Sequence, residues 1–292
     1  MFIGDSVIPL LWHSVAEFKK VPTAILRFST VDGFVIAADG LSRDRETGET
    51  RDKEKKLFLV NDQGRSLVYA LSGTGRIKDP TDSFVALDLV AECQKAVVGL
   101  AKQTPDDLLV YAKKVAGKIQ RALENSKNAG KISRYPLLPN PAQPDQCLIA
   151  TLFFWGYYKG VASRAAVKIT HRNQSFLPLQ VDGSSVDPWP EISGSSIFTL
   201  LLRETPDPRL DRFWIPAMAK FAATVSIETF TVAEARDIAV NYIHACESKE
   251  GRAIDPDLAP GIGGRIHIAT IAAKDGAQWM ADCDLASSKR SQ

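Results

Sequence analysis

Apolar residues in the first third of the chain come in short runs separated by turn residues. Ala24–Phe28 and Gly33–Ala38 are two such runs, joined by Ser29-Thr30-Val31-Asp32 with Gly33 as the turn signal, and they predict a β-hairpin. Leu57–Val60 and Leu67–Leu71 predict a second pair of strands around Asn61-Asp62-Gln63-Gly64. Between the pairs, residues 43–55 are too charged for a core and read as an exposed loop or short ribbon.

The spacing then changes. Phe84, Leu87, Leu89, Val90, Cys93, Val97 and Leu100 recur at helical intervals and predict a helix over 80–103. A second helix opens at Thr104-Pro105-Asp106-Asp107, which supplies a cap, a proline in the first turn and acidic residues where the helix dipole favours them. It carries Leu108, Ala112, Val115, Ile119 and Leu123 inward and stops near Gly130. A proline-rich stretch (Pro136, Pro139, Pro141, Pro144) leads to three further strand runs, Cys147–Trp155, Ala165–Thr170 and Phe176–Val181. Ile192–Arg203 and Pro208–Ala223 read as helical, and Thr231-Val232-Ala233-Glu234 is a capping box opening a long helix to Ser248. Arg265–Ala272 and Ala277–Met280 close the chain as a hairpin around Lys274-Asp275-Gly276.

Runs of strands alternating with pairs of helices argue against a doubly wound parallel sheet. The order suits an α+β fold, a four-layer αββα sandwich of two stacked antiparallel sheets flanked by helices. The chain has 292 residues, 45% of them hydrophobic, enough for one sizeable core. The organisation expected is a leader or propeptide-like segment over 1–22, one domain over 23–282 with an insertion about 204–230, and a polar tail over 283–292.

Charge removes several function classes. The net charge is +2, which gives no bulk case for nucleic acid or an anionic membrane as partner. No apolar run approaches a membrane span, and Pro9 interrupts the apolar patch near the amino end, so no secretory signal is read there. Cys93, Cys147, Cys246 and Cys283 are scattered without a C-x-x-C pair, which fits small buried residues in a reducing, cytoplasmic setting. His13, His171, His244 and His267 are equally dispersed, so no metal and no cofactor is expected. Gly73-Thr74-Gly75 and Gly261-Ile262-Gly263-Gly264 lack the lysine and hydroxyl of a phosphate loop.

Four motifs carry a resemblance. They are Thr23-Ala24-Ile25-Leu26, then Asp32-Gly33-Phe34-Val35-Ile36-Ala37-Ala38-Asp39, then Lys55-Lys56-Leu57-Phe58, then Ala70-Leu71-Ser72-Gly73. With Ser193-Gly194-Ser195 and a long helix leading into Gly263-Gly264, their order resembles a proteasome subunit of the N-terminal-nucleophile hydrolase superfamily. The resemblance spans roughly Thr23 to Met280 and implies the sandwich already derived.

It also implies a chemistry. In active members a threonine freed by self-cleavage attacks an amide, and its own α-amine serves as base, because a hydroxyl is a weak nucleophile without one. Carried over, Thr23 falls on the nucleophile, Asp39 on the aspartate sixteen positions later, Lys56 on the lysine, Gly73 on the oxyanion-hole glycine and Ser193 on the amine-contacting serine. Asp39, Lys56, Gly73 and Ser193 each have an ordinary structural alternative, in that order strand end, solvated lysine, turn glycine and helix cap.

The chain departs from the pattern at three places. Pro22 precedes Thr23 where cleaved relatives carry glycine; Leu41 replaces an arginine; and Ala259-Pro260-Gly261-Ile262 replaces the Asp-x-x-Ser pair, leaving Asp257 as a substitute only if the loop shifts. The expectation is therefore an uncleaved, oligomer-forming or non-catalytic protein, self-associating or joined to related subunits. The alternative is a threonine-type hydrolase of peptide or amide substrates, activated by cleavage before Thr23.

Overall fold

The computed structural model describes residues 23–280, apart from 44–49, 52–53, 63, 79–84, 104, 106, 137–138, 141–142, 184–189, 203–206 and 224–229. The expected leader, the polar tail and the caps at Thr104 and Asp106 lie outside the described residues.

The opening hairpin forms as the pattern predicts. Strand β1 (Ile25–Thr30) pairs antiparallel with β2 (Gly33–Asp39), Ile25 opposite Ala38 and Thr30 opposite Gly33. The second hairpin joins β3 (Leu57–Asp62) to β4 (Arg65–Gly73), Leu57 opposite Ala70. After the helices come the long strands β5 (Gln143–Tyr158) and β6 (Val161–Arg172), the short edge strand β7 (Glu191–Ser193), and the closing hairpin β8 (Ile266–Ala272) and β9 (Gly276–Trp279).

These strands make two antiparallel sheets. One runs β7-β1-β2-β8-β9; the other runs β6-β5-β4-β3, with Ser175–Phe176 and Gln180–Asp182 added along β6. Strand period decides the layering, because successive side chains face opposite ways. In β1 and β2, Ile25, Phe34, Ile36 and Ala38 pack between the sheets with Leu57, Val68, Ala70 and Trp155. Their neighbours Leu26, Phe28, Val35 and Ala37 pack outward against the carboxyl-terminal helices. In β4, Leu67, Tyr69 and Leu71 face outward onto the helix pair. Three apolar layers between four structural layers establish the αββα sandwich.

One helical face is built by α1 (Leu89–Val98) and α2 (Leu108–Asn128), capped by Asp88 and Asp107. The other is built by α3 (Ile197–Leu201), α4 (Pro216–Ala223), α5 (Val232–Glu247) and α6 (Lys249–Ile254). The capping box at α5 is present in full: Thr231 Oγ1 accepts from Glu234 N, and Glu234 accepts from Thr231 N at 2.8 Å. Residues 207–223, expected as part of an insertion, form a 3-10 turn (Pro208–Phe213) and α4, and seal the outer core with Leu210, Met218 and Phe221.

Two element assignments are corrected. The helix expected over 80–103 begins only at Leu89, because Val85–Asp88 forms a ribbon with Arg76–Lys78 and Leu89 N donates to Gly75 O. Ile192 does not open a helix either: it pairs with Leu26 at the sheet edge, and α3 starts at Ile197. Both errors arise where apolar residues near a helix also suit a strand, and pairing with a neighbour decided the outcome.

Candidate active site

Thr23 sits immediately before β1, and Asp39 is the last residue of β2. The hairpin register therefore brings them together without any loop excursion. Asp39 N donates to Ala24 O at 3.1 Å, and Ala24 N donates back to Asp39 Oδ1 at 2.8 Å. Lys56 arrives from the other sheet, just ahead of β3. Its ammonium donates to both Asp39 oxygens at 2.9 Å and to Thr23 Oγ1 at 3.4 Å. Three positions that the chain separates by up to 33 residues are thus one contact set at a shared end of the two sheets.

All three side chains are buried, Asp39 completely. Burial pushes the Asp39 carboxyl above its ordinary value, and the Lys56 ammonium and the Ala24 and Gly263 amides act against that rise. The donors are fixed: besides Ala24 and Lys56, Leu41 N and Gly263 N donate to Oδ2 at 3.2 and 3.3 Å. A carboxylate so supplied serves as an orienting anion for Lys56, and Lys56 in turn presents its charge to the Thr23 hydroxyl. Such a neighbour favours the alkoxide over the alcohol.

Gly73 ends β4, whose pairing with β3 sets it at the same end of the sheet as Lys56, and it adopts a left-handed φ of 112°. Ser193 lies on β7 opposite Ile25, one residue pair from the Thr23 end.

Two residues along, a second polar cluster occurs that the sequence pattern did not disclose. The Ser195 hydroxyl donates to Asp255 Oδ2 at 2.5 Å, and Ser196 N donates to the same oxygen at 3.3 Å. Tyr242 Oη accepts from Ser195 N at 2.8 Å and donates to Ser195 O at 3.2 Å. Asp255, not Asp257, is the carboxylate brought to the serines. It is delivered by α6, a six-residue helix capped by Ser248, whose Oγ accepts from Gly251 N. That Ser-x-x spacing at 248–251 was the available signal. Glu247, the last residue of α5, accepts from Gly264 N at 2.6 Å and was likewise unanticipated.

Among the described residues no group of three or more His, Cys, Asp or Glu side chains is placed to hold a metal ion, and no helix is long and apolar enough to cross a membrane. Cys93, Cys147 and Cys246 are free and buried.

Layer order and sheet pairing define a four-layer αββα sandwich of two antiparallel sheets, with a threonine at the head of β1. No protein-family model and no curated protein matches the chain. Similar solved structures include an Anbu (Gly-1) mutant from Hyphomicrobium sp. strain MC1, with 12% identity, TM-score 0.47, and 92% of this chain and 89% of that chain covered. A helical assembly of the Anbu complex from Pseudomonas aeruginosa gives 11%, 0.48, 90% and 88%. Anbu from the same Hyphomicrobium strain gives 14%, 0.43, 90% and 89%. These findings correct the assignment to proteasome subunits: the neighbours found are Anbu proteins, no family is matched, and likeness at this level carries neither family nor activity to this chain.

Proposed function

We propose that the chain is a latent threonine-type amide hydrolase whose centre is Thr23, Lys56 and Asp39. The observation carrying this reading is the Lys56 ammonium, set 2.9 Å from Asp39 and 3.4 Å from the Thr23 hydroxyl. An exposed lysine or a strand-end aspartate has no need of such an arrangement, and burying an ion pair costs stability unless its geometry is good. In the full chain the Thr23 nitrogen belongs to the peptide bond from Pro22, so the base required by this chemistry is missing. Loss of residues 1–22 would release it. The Thr23 Oγ would then attack the substrate carbonyl, its proton passing to the freed amine and on to the departing nitrogen. Gly73 is proposed as an amide donor to the resulting oxyanion and Ser193 as a contact of the amine, with Ser195 and Asp255 beside it.

The test is a chain made to begin at Thr23. Incubation with a peptide epoxyketone, which reacts with a hydroxyl and an adjacent free amine together, is expected to add one inhibitor mass. The Thr23→Ala form and the full chain should add none. A folded Thr23-initiated protein that gains no mass and cleaves no peptide amide would overturn the reading.

A second reading is favoured by Pro22, whose fixed φ denies the bond before Thr23 the backbone freedom that glycine gives. On that reading the chain stays uncleaved and acts as a self-associating, non-catalytic protein. Intact mass after purification, combined with light scattering, separates the two: an uncleaved oligomer supports the second, and a mass loss matching residues 1–22 supports the first.

A further inference from the structure

We propose that Glu247 is a positioning residue for the Thr23–Lys56–Asp39 centre, acting through the Gly263–Gly264 peptide. This rests on the hydrolase reading above. Gly263 is the clasp beneath Asp39. Its N–H donates to Asp39 Oδ2 at 3.3 Å, and its carbonyl accepts from Gly40 N at 3.1 Å and Leu41 N at 2.7 Å. Leu41 N also reaches Asp39 Oδ2 at 3.2 Å, so one residue fixes both the carboxylate, through the Ile262–Gly263 amide, and the chain leaving β2, through the Gly263–Gly264 carbonyl.

Glu247 holds the Gly263–Gly264 peptide, the unit that carries this carbonyl, from the far side. Its Oε1 accepts from Gly264 N at 2.6 Å. Its side chain lies so flat on Gly263 that a β-carbon there would come within 2.5 Å of both Cγ and Oε1. Gly263 and Gly264 have φ of 147° and 72°, a conformation the loop holds only with glycine.

Helix stability does not explain the residue. A carboxylate in the last turn of α5 opposes the helix dipole, and burial also disfavours its charge. Burial raises the Glu247 carboxyl and Asp39 adds to the rise, against the Gly264 amide and Arg252 of α6. An acid retained in so unfavourable a place is accounted for by the bond it makes to the loop.

Amide exchange and acylation kinetics test the role. Glu247→Ala, and Glu247→Asp, which is one methylene too short to reach, should speed exchange at Gly263, Gly264 and Leu41 about tenfold, with the β1 and β8 amides unchanged. Glu247→Gln, which keeps an acceptor oxygen, should restore protection to within about twofold. In the Thr23-initiated protein the first two variants should lower the epoxyketone reaction rate about tenfold without weakening inhibitor binding. Wild-type protection at Gly263 and Leu41 in both variants would overturn the proposal. Exchange is read without activity, so a Thr23-initiated protein that never reacts would sink the hydrolase reading and leave the clasp to be judged on exchange alone.

Discussion

The Lys56 ammonium lies 2.9 Å from each oxygen of Asp39, a carboxylate with no solvent exposure at all. Each group is placed by a different sheet, so the pair ties the two sheets together at the end where Thr23 emerges. Removing one partner of a buried pair leaves the other charged and unpaired. Lys56→Met is accordingly expected to lower unfolding free energy by about 3–5 kcal/mol in urea titrations. Adding Asp39→Asn should recover part of that loss, because the second charge goes with it. A Lys56→Met cost under about 1 kcal/mol would show that the pair does not hold the site together.

The turn from β7 to α3 depends on Gly194 meeting Tyr242. A β-carbon at Gly194, where φ is 159°, would overlap the Tyr242 hydroxyl and crowd Ala24. That hydroxyl is buried and bonds both the N–H and the carbonyl of Ser195. Gly194→Ala should therefore displace Tyr242 and cost about 1–3 kcal/mol, the usual range for overpacking. Tyr242→Phe relieves the crowding, so Gly194→Ala in that background should cost measurably less in the same titration. Equal costs in both backgrounds would show that the contact is not what requires glycine.

How much of this was legible follows from which forces set each element. β1, β2 and β4 are buried on both faces, so their apolar runs are nearly continuous and readable even though their layer assignment is not. Thr23, Asp39 and Lys56 were picked out by the resemblance that the motifs around them carry, with Thr23 sixteen positions before Asp39. Their 2.9 and 3.4 Å contacts depend on how two sheets stack, which no local pattern encodes. Asp255 was missed for a related reason. It is positioned by a six-residue helix with a central glycine, too short for periodicity to show. The ribbon at Val85–Asp88 was read as helix since Leu87 and Leu89 suit both patterns, and pairing with Arg76–Lys78 decided between them.

Two histidines set a pH dependence. His171 is buried, its Nε2 is 3.0 Å from Pro136 O, and burial, with Lys127 adding to it, holds its pKa below the ordinary 6.5. His267 is partly buried, and burial, with Arg265, Lys55 and Lys56, likewise lowers its pKa below 6.5. A folded value below the unfolded one means that the unfolded chain binds more protons between the two. Stability should therefore be full above about pH 7 and fall as pH drops through 6.5. The slope from His171 is at most about 1.4 kcal/mol per pH unit. Urea unfolding at pH 7.5, 6.5 and 5.5 should show the decline, and His171→Phe should flatten its share, leaving the part that His267 contributes. A variant as pH-sensitive as the wild type would assign the effect elsewhere.

Arg65 carries a different kind of load, since its guanidinium is buried beneath the end of α1. Nε and Nη2 donate to the Asp62 carboxylate at 2.6 and 2.7 Å, a two-pronged contact across the β3–β4 turn. Nη1 donates to Leu100 O at 3.3 Å and Nη2 to Ala101 O at 2.8 Å, carbonyls of the turn that follows α1, where Leu100 O also accepts from Gln103 N at 3.0 Å. The same group lies 4.8 Å from the Tyr111 ring centre, so one planar cation joins the second hairpin to both helices of its layer. Lysine has the charge without the fork and reaches one of these partners at a time. Arg65→Lys is expected to cost about 2–4 kcal/mol, with Arg65→Met no worse than Arg65→Lys because it removes the buried charge along with its bonds. Thermal or urea unfolding of the two variants decides it: a lysine variant as stable as the wild type would mean that charge alone, and not the planar fork, secures this corner of the sandwich.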